Sequence, residues 1–340
     1  MRRRSITPID GCMVAKKGLK CNKDLLFQTP NLPTDNMRVI FMGTPDFSVP
    51  CLEQLINSRH EVIAVVTQPD RPRNRGVVSA CPVKGCAEKH GLKVLQYEKV
   101  SREGIDDIRA LNPDVIVTAA FGQMLSRDFL AIAPHGVINV HASLLPKYRG
   151  SSPIQWAVIN GEKETGVTIM QTAYKMDSGD IILQKRVAVG VDETAGELFE
   201  KLSALGAPAL IEALDLIESG KATFTPQNED EMTYFPMLKK EDGEIDFSMS
   251  ATDIKHRIQG LTPWPSAYTT CGGKKMKIIK ATVENMQGSP KQVLKADKDG
   301  LIVACGKDAL NIQILQPENG RKMSAKDYLL GHRIAVGEEL

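Results

Sequence analysis

From Met37 onward the sequence alternates short, almost unbroken β-branched runs with stretches of helical spacing, and no other feature narrows the possible folds as much. Arg38-Val39-Ile40-Phe41-Met42, Glu61-Val62-Ile63-Ala64-Val65-Val66, Asp114-Val115-Ile116-Val117-Thr118 and Val137-Ile138-Asn139-Val140 carry apolar residues at successive positions, so both faces of each strand must be covered. Residues 46–58, 82–90 and 101–111 lie between them with apolar side chains at helical intervals. Strand, helix, strand, helix predicts an α/β domain on a doubly wound, mainly parallel, Rossmann-like sheet. Residues 167–171 and 181–189 read as later strands, and Asp192-Glu193-Thr194 opens a long helix that reaches about Ser219.

At 340 residues the chain is long enough for two cores of roughly 100–200 residues each. Residues 224–244 are polar and proline-bearing, as a linker would be, and the pattern changes beyond them. A helical stretch at 251–259 and Leu261-Thr262-Pro263-Trp264-Pro265 precede short strand-like runs at 267–270, 276–283, 292–296, 301–304 and 310–315. Short strands with glycine-rich turns predict a small, OB-like β-barrel over 245–340, which leaves 37–223 for the α/β domain. Residues 1–36 lack sustained periodicity and carry Thr7-Pro8, Thr29-Pro30 and Leu32-Pro33, so they read as a disordered extension. A chain starting at Met37 is therefore expected to keep the melting temperature and activity of the full chain; loss of either would show that the extension docks.

No apolar run approaches the ~18 residues that cross a bilayer, so a soluble protein without a membrane partner is expected. Arg2-Arg3-Arg4 is not followed by an apolar stretch, which disfavours a secretory signal. The seven cysteines are odd in number and scattered, with no pair of CxxC units, which argues against a disulfide framework or a zinc ribbon and for reduced thiols in a cytoplasm. Cys81, Cys86 and His90 alone make a poor ligand set, so no metal is expected. The net charge of +2 is uneven: residues 251–340 hold 14 Lys/Arg against 9 Asp/Glu, which points to a polyanionic partner for the C-terminal part.

The first strand-to-helix turn, Met42-Gly43-Thr44-Pro45-Asp46-Phe47, lacks the three-glycine fingerprint that brings a backbone up to a pyrophosphate, which disfavours dinucleotide chemistry. The informative strand is Ile138-Asn139-Val140-His141. With a period of two, Asn139 and His141 point to one face and Ile138 and Val140 to the other. They also fall at the carboxyl end of a strand, where open α/β sheets place their ligands.

Asn139-x-His141, the segment Ser143-Leu144-Leu145-Pro146 and the turn Asp177-Ser178-Gly179-Asp180 resemble the signature of the folate-dependent formyltransferases. Met42-Gly43-Thr44-Pro45-Asp46-Phe47, Thr67-Gln68-Pro69-Asp70-Arg71-Pro72, Tyr148-Arg149-Gly150 and Thr165-Gly166-Val167-Thr168-Ile169-Met170 resemble, within that group, the family acting on methionyl-tRNA, and the likeness runs from Met37 to about Leu330. The resemblance implies transfer of formyl from 10-formyltetrahydrofolate, a co-substrate rather than a tightly bound cofactor, to initiator methionyl-tRNA, by a cytoplasmic monomer. It also implies a catalytic set. Asn139 and a protonated His141 would donate to the oxyanion of the tetrahedral intermediate, a contribution of ~2.7–4 kcal/mol for one well-placed donor. Asp177 would raise the His141 pKa and assist proton transfer from the amine. The loop around Phe121, Gly122 and Met124, together with the Asp177 turn, would hold the pterin, and Ser143, Leu144, Leu145 and Pro146 would contact the folate.

For the tRNA, the resemblance implies an inserted loop at Pro69-Asp70-Arg71-Pro72-Arg73-Asn74-Arg75-Gly76, too broken by proline and glycine for a helix. Its arginines, Arg71, Arg73 and Arg75, suit phosphates and unpaired acceptor-end bases; Val77-Val78 stand where the family often carries lysines. Lys274, Lys275, Lys277, Arg321 and Lys322 would contact the tRNA backbone from the second domain. Two other readings share many of these residues: a transferase for a small amine, and an RNA-binding protein without catalysis.

Overall fold

The computed structural model describes residues 36–73, 77–298 and 300–340; residues 1–35, on which the expected extension falls, lie outside them. In chain order the strands of the first sheet are β1 (Arg38–Gly43), β2 (Glu61–Thr67), β5 (Val94–Gln96), β6 (Val115–Ala119), β7 (Val137–His141), β9 (Glu164–Gln171) and β10 (Ile181–Ala188). Two short pairs lie outside this sheet: β3 (Arg71–Arg73) with β4 (Val77–Ser79), and β8 (Arg149–Gly150) with β11 (Tyr234–Phe235). The sheet runs β10-β9-β7-β6-β1-β2-β5, parallel from β7 to β5, with β9 antiparallel to β7. A doubly wound, mainly parallel sheet is thus present.

Alternation along each strand sends side chains into two cores. Val39, Phe41, Val117, Ile138, Val140 and Val167 pack with α1 (Val49–Ile56), α2 (Pro82–Lys89) and α7 (Ala195–Glu218). Ile40, Met42, Ile116 and Val137 pack on the opposite side with α3 (Val100–Glu103), α4 (Ile105–Ala110) and α5 (Arg127–Leu130). The long helix α7 begins where the sequence places it, because Thr194 and Glu197 close a reciprocal capping box that contributes about 1 kcal/mol. The helix expected over 101–111 is instead two pieces separated at Gly104, where a Cβ would press on the Tyr97 ring. The segment 46–58 begins as a single tight turn, Asp46–Ser48, before α1.

The C-terminal part is antiparallel throughout: β12 (Ala267–Cys271), β13 (Lys274–Glu284), β14 (Val293–Asp297), β15 (Gly300–Ala304), β16 (Ala309–Pro317) and β17 (Met323–Ser324), ordered β12-β13-β16-β15-β14 with β17 also on β16. Its apolar face closes over α8 (Ala251–Gly260), and α9 (Ala325–Gly331) follows. Trp156 and Ile159 of α6 (Pro153–Ile159) join this second core. Gly260 allows α8 to approach α6 closely, since a Cβ there would meet Ile159 and the Gln155 carbonyl. No helix among the described residues is long and apolar enough to cross a membrane.

Candidate active site

The site is built at the carboxyl ends of β1, β6 and β7, beside the point where the strand order reverses, the usual ligand position in an open α/β sheet. Ile138 and Val140 are core residues under α7, so their neighbours Asn139 and His141 face the other way. Register places Thr118 of β6 opposite Asn139, and the Thr118 hydroxyl donates to Asn139 Oδ1 at 2.9 Å. That bond takes up the amide oxygen of Asn139, a residue that lines the cavity. Replacing Thr118 by Val removes one neutral hydrogen bond of about 0.5–1.5 kcal/mol, so kcat is expected to fall ~3- to 10-fold. Thr118→Ser should restore it; equal kcat in Thr118→Val and the unaltered chain would show that Asn139 needs no such partner.

His141 is buried at the strand end, and its Nε2 lies 2.9 Å from the Tyr148 carbonyl. A carbonyl only accepts, so Nε2 carries a proton whatever the charge on the ring, and Nδ1 is the nitrogen whose protonation can change. Nδ1 faces Asp177 Oδ1 at 3.8 Å. Asp177 comes from the turn between β9 and β10, 36 positions on in the sequence, as the folding-over of that turn requires. Its other oxygen, Oδ2, accepts from the Gly150 N–H at 2.8 Å. Both Tyr148 (φ 61°) and Asp177 (φ 50°) sit in the left-handed region, conformations held by these bonds.

A cavity of ≈ 520 Å³ opens over these groups. Asn139, His141, Asp177, Phe121, Gly122 and Met124 all line it. Ser143, Leu144, Leu145 and Pro146 do not. Ser143 is fully buried and donates to the Lys147 carbonyl at 2.7 Å, while the Leu145 N–H and carbonyl bond to Thr168 and Gln184. The segment therefore supports the loop carrying Tyr148 with its polar groups turned inward. No group of three or more His, Cys, Asp or Glu among the described residues is arranged to hold a metal.

Arg71 and Arg73 lie on β3, which runs antiparallel to β4 with Arg73 opposite Val77. Arg71 makes an exposed ion pair with Glu98 at 2.9 Å, and Arg75 lies outside the described residues. Below this strand pair, Lys84 meets Asp70 at 2.5 Å and Gln96 bonds to Thr67, Gln68 and Asp70, which anchors its base. Lys274, Lys275 and Lys277 lie on β13, the first two exposed, with Lys275 Nζ 3.4 Å from the centre of the Tyr268 ring. Met276 pairs with Pro317 on β16 and Met323 with Leu315, so exposed Arg321 and Lys322 sit on the turn next to them. The five C-terminal cations thus belong to one region of the sheet.

Sequence reasoning gave Thr118 no role, and it used Tyr148 and Gly150 only as part of the motif Tyr148-Arg149-Gly150, without a role in the site. Thr118 ends an apolar run, where a hydroxyl is also common for packing reasons, so only strand register reveals its partner. Tyr148 and Gly150 act through backbone atoms, which leave no side-chain signal.

The chain matches the formyl transferase family over residues 37–214 and the formyl transferase C-terminal domain over 237–333. Its fold is similar to that of an N-formyltransferase from Helicobacter canadensis solved with folinic acid and dTDP-3-aminofucose, with a TM-score of 0.64 at 19% identity over 81% of this chain and 99% of that one. Fold and cavity together are those of a formyl transferase. A methionyl-tRNA formyltransferase of Geobacter metallireducens is 48% identical over 89% of this chain and 98% of its own length, and that of Acetivibrio thermocellus is 47% identical over 89% and 99%. The chain belongs to the methionyl-tRNA formyltransferase family.

Proposed function

We propose that the chain moves the formyl group of 10-formyltetrahydrofolate to the free amino group of methionine on initiator methionyl-tRNA, acting as a monomer in the cytoplasm. The meeting of Asn139, His141 and Asp177 in one cavity is the observation that carries this reading. The amine nitrogen attacks the formyl carbon, a C–N bond forms, and the carbonyl oxygen becomes negative. The Asn139 amide, whose oxygen accepts from Thr118, donates its N–H to that charge. The amine proton passes to the His141–Asp177 pair and is returned to N10 as the C–N10 bond breaks, so atoms and charge balance.

Phe121, Gly122 and Met124 supply the wall for the pterin. Met124, Tyr174, Met176 and Met237 rim the cavity while exposed, an apolar mouth suited to a thioether side chain. Arg71, Arg73 and Arg75, with Lys274, Lys275, Lys277, Arg321 and Lys322, are the proposed phosphate contacts. Exposed cations of this kind position a nucleic acid without reading its sequence. Free cysteines at 51, 81, 86, 271 and 305 support a reducing compartment. The test is formylation of charged initiator tRNA with and without the folate donor. Product formed only with the donor is expected; binding of both substrates without product would leave a binding protein instead.

A further inference from the structure

We propose that Gln227 is a positioning residue for Asp177, so that the segment leading into the second module completes the catalytic site. The inference rests on the role given to Asp177 above. Gln227 is the only residue from 223 to 231 that is not exposed. Its Nε2 donates to the carbonyls of Asp177 and Gly179 at 2.8 and 2.7 Å. Its Oε1 accepts from Arg149 Nε and Nη2 at 3.0 and 2.8 Å. Carbonyls only accept and a guanidinium only donates, so the amide has one orientation and all four bonds agree on it.

These bonds define what Gln227 does. Asp177 is left-handed, a conformation that persists only where the surroundings over-determine it. Gly150 holds its carboxylate, and Gln227 holds its carbonyl and that of Gly179. At Gly179 a Cβ would overlap the Gln171 carbonyl, so the turn is already pressed against the end of β9 and cannot settle closer. The other side of the clamp is equally constrained. Arg149 is 2% exposed, and its remaining partner is Glu229, at 2.6 Å from Nη2. Arg149 and Lys175 hold the Glu229 carboxyl down to about 2, so it is ionised at neutral pH. The same segment fixes the His141 side of the site. Thr233 takes the Tyr148 N–H on its hydroxyl at 2.8 Å and the Arg149 N–H on its carbonyl at 2.9 Å, and Tyr148 in turn carries the carbonyl that holds His141.

Removing the two N–H donors should let the turn shift while leaving the folate wall, which comes from the β6 loop, in place. Gln227→Glu keeps the volume and the acceptor for Arg149 and loses both donors. Its kcat for formyl transfer is expected to fall ~10- to 100-fold, as a displacement of about 1 Å in a reacting group does, with folate Kd and KM for charged tRNA changed less than ~3-fold. Gln227→Met removes all four bonds and should lose at least as much. Should it fail to bind folate, Gln227→Glu decides alone. In an Asp177→Ala background the Gln227→Glu change is expected to lower kcat less than ~3-fold further, because nothing remains to be positioned. Unchanged kcat in Gln227→Glu, or an equal loss in both backgrounds, would overturn the inference. Full activity of Asp177→Ala would overturn the reading of the site itself.

Discussion

His141→Ala and Asp177→Ala are each expected to lower the single-turnover rate of formyl transfer by about 10²–10⁴-fold, the range of a positioned proton-transfer group. Folate affinity should be largely retained, because Phe121, Gly122 and Met124 line the same cavity and stay in place when either side chain is shortened. The lost interactions arise mainly as charge develops in the transition state, so the effect falls on kcat and kcat/KM together. The double variant should be little worse than either single one, since Nδ1 of His141 and Oδ1 of Asp177 face each other at 3.8 Å and serve one proton path. A near-wild-type rate in either single variant would remove that residue from the mechanism.

The second large effect concerns the charged substrate. Each phosphate contact removed is expected to flatten the slope of log KM for charged tRNA against log salt by roughly one unit, so a Lys274, Lys275, Lys277 triple Ala variant should lose about two to three units. Arg71, Arg73 and Arg75 replaced together should do the same. Among them Arg71 alone should show the smallest change, because it gives up an exposed ion pair with Glu98 that is worth about 0–1 kcal/mol. Folate Kd should be constant across the series. A salt slope unmoved by either triple substitution would remove that cluster from the tRNA interface.

Much of the fold is legible in the sequence because each strand run is apolar on both faces and the long helix after Thr194 announces itself by its cap. What escaped had a tertiary cause. The paired strands Arg71–Arg73 and Val77–Ser79 are short and carry Pro72, so no periodicity marks them. The break at Gly104 depends on a tyrosine ring seven positions earlier coming to lie against it. In the site, Asn139 and His141 stand out because two polar residues interrupt an apolar strand with a period of two. Gln227 does not: it sits in a stretch whose proline, acidic and polar residues read as a connector, and its importance lies in the carbonyls it meets. Ser143–Pro146 shows the reverse, a conspicuous motif whose polar groups are satisfied within the fold.

In the proposed reaction the acceptor amine is the one on methionyl-tRNA. This is tested most directly by offering the protein 10-formyltetrahydrofolate with equal concentrations of initiator methionyl-tRNA and a nucleotide-linked amino sugar, then identifying the formylated product by mass. The predicted result is N-formylmethionine released from the tRNA, with the sugar amine unmodified and the yield falling as salt rises. Formylation of the sugar in preference to the aminoacyl-tRNA, unaffected by salt, would contradict the account.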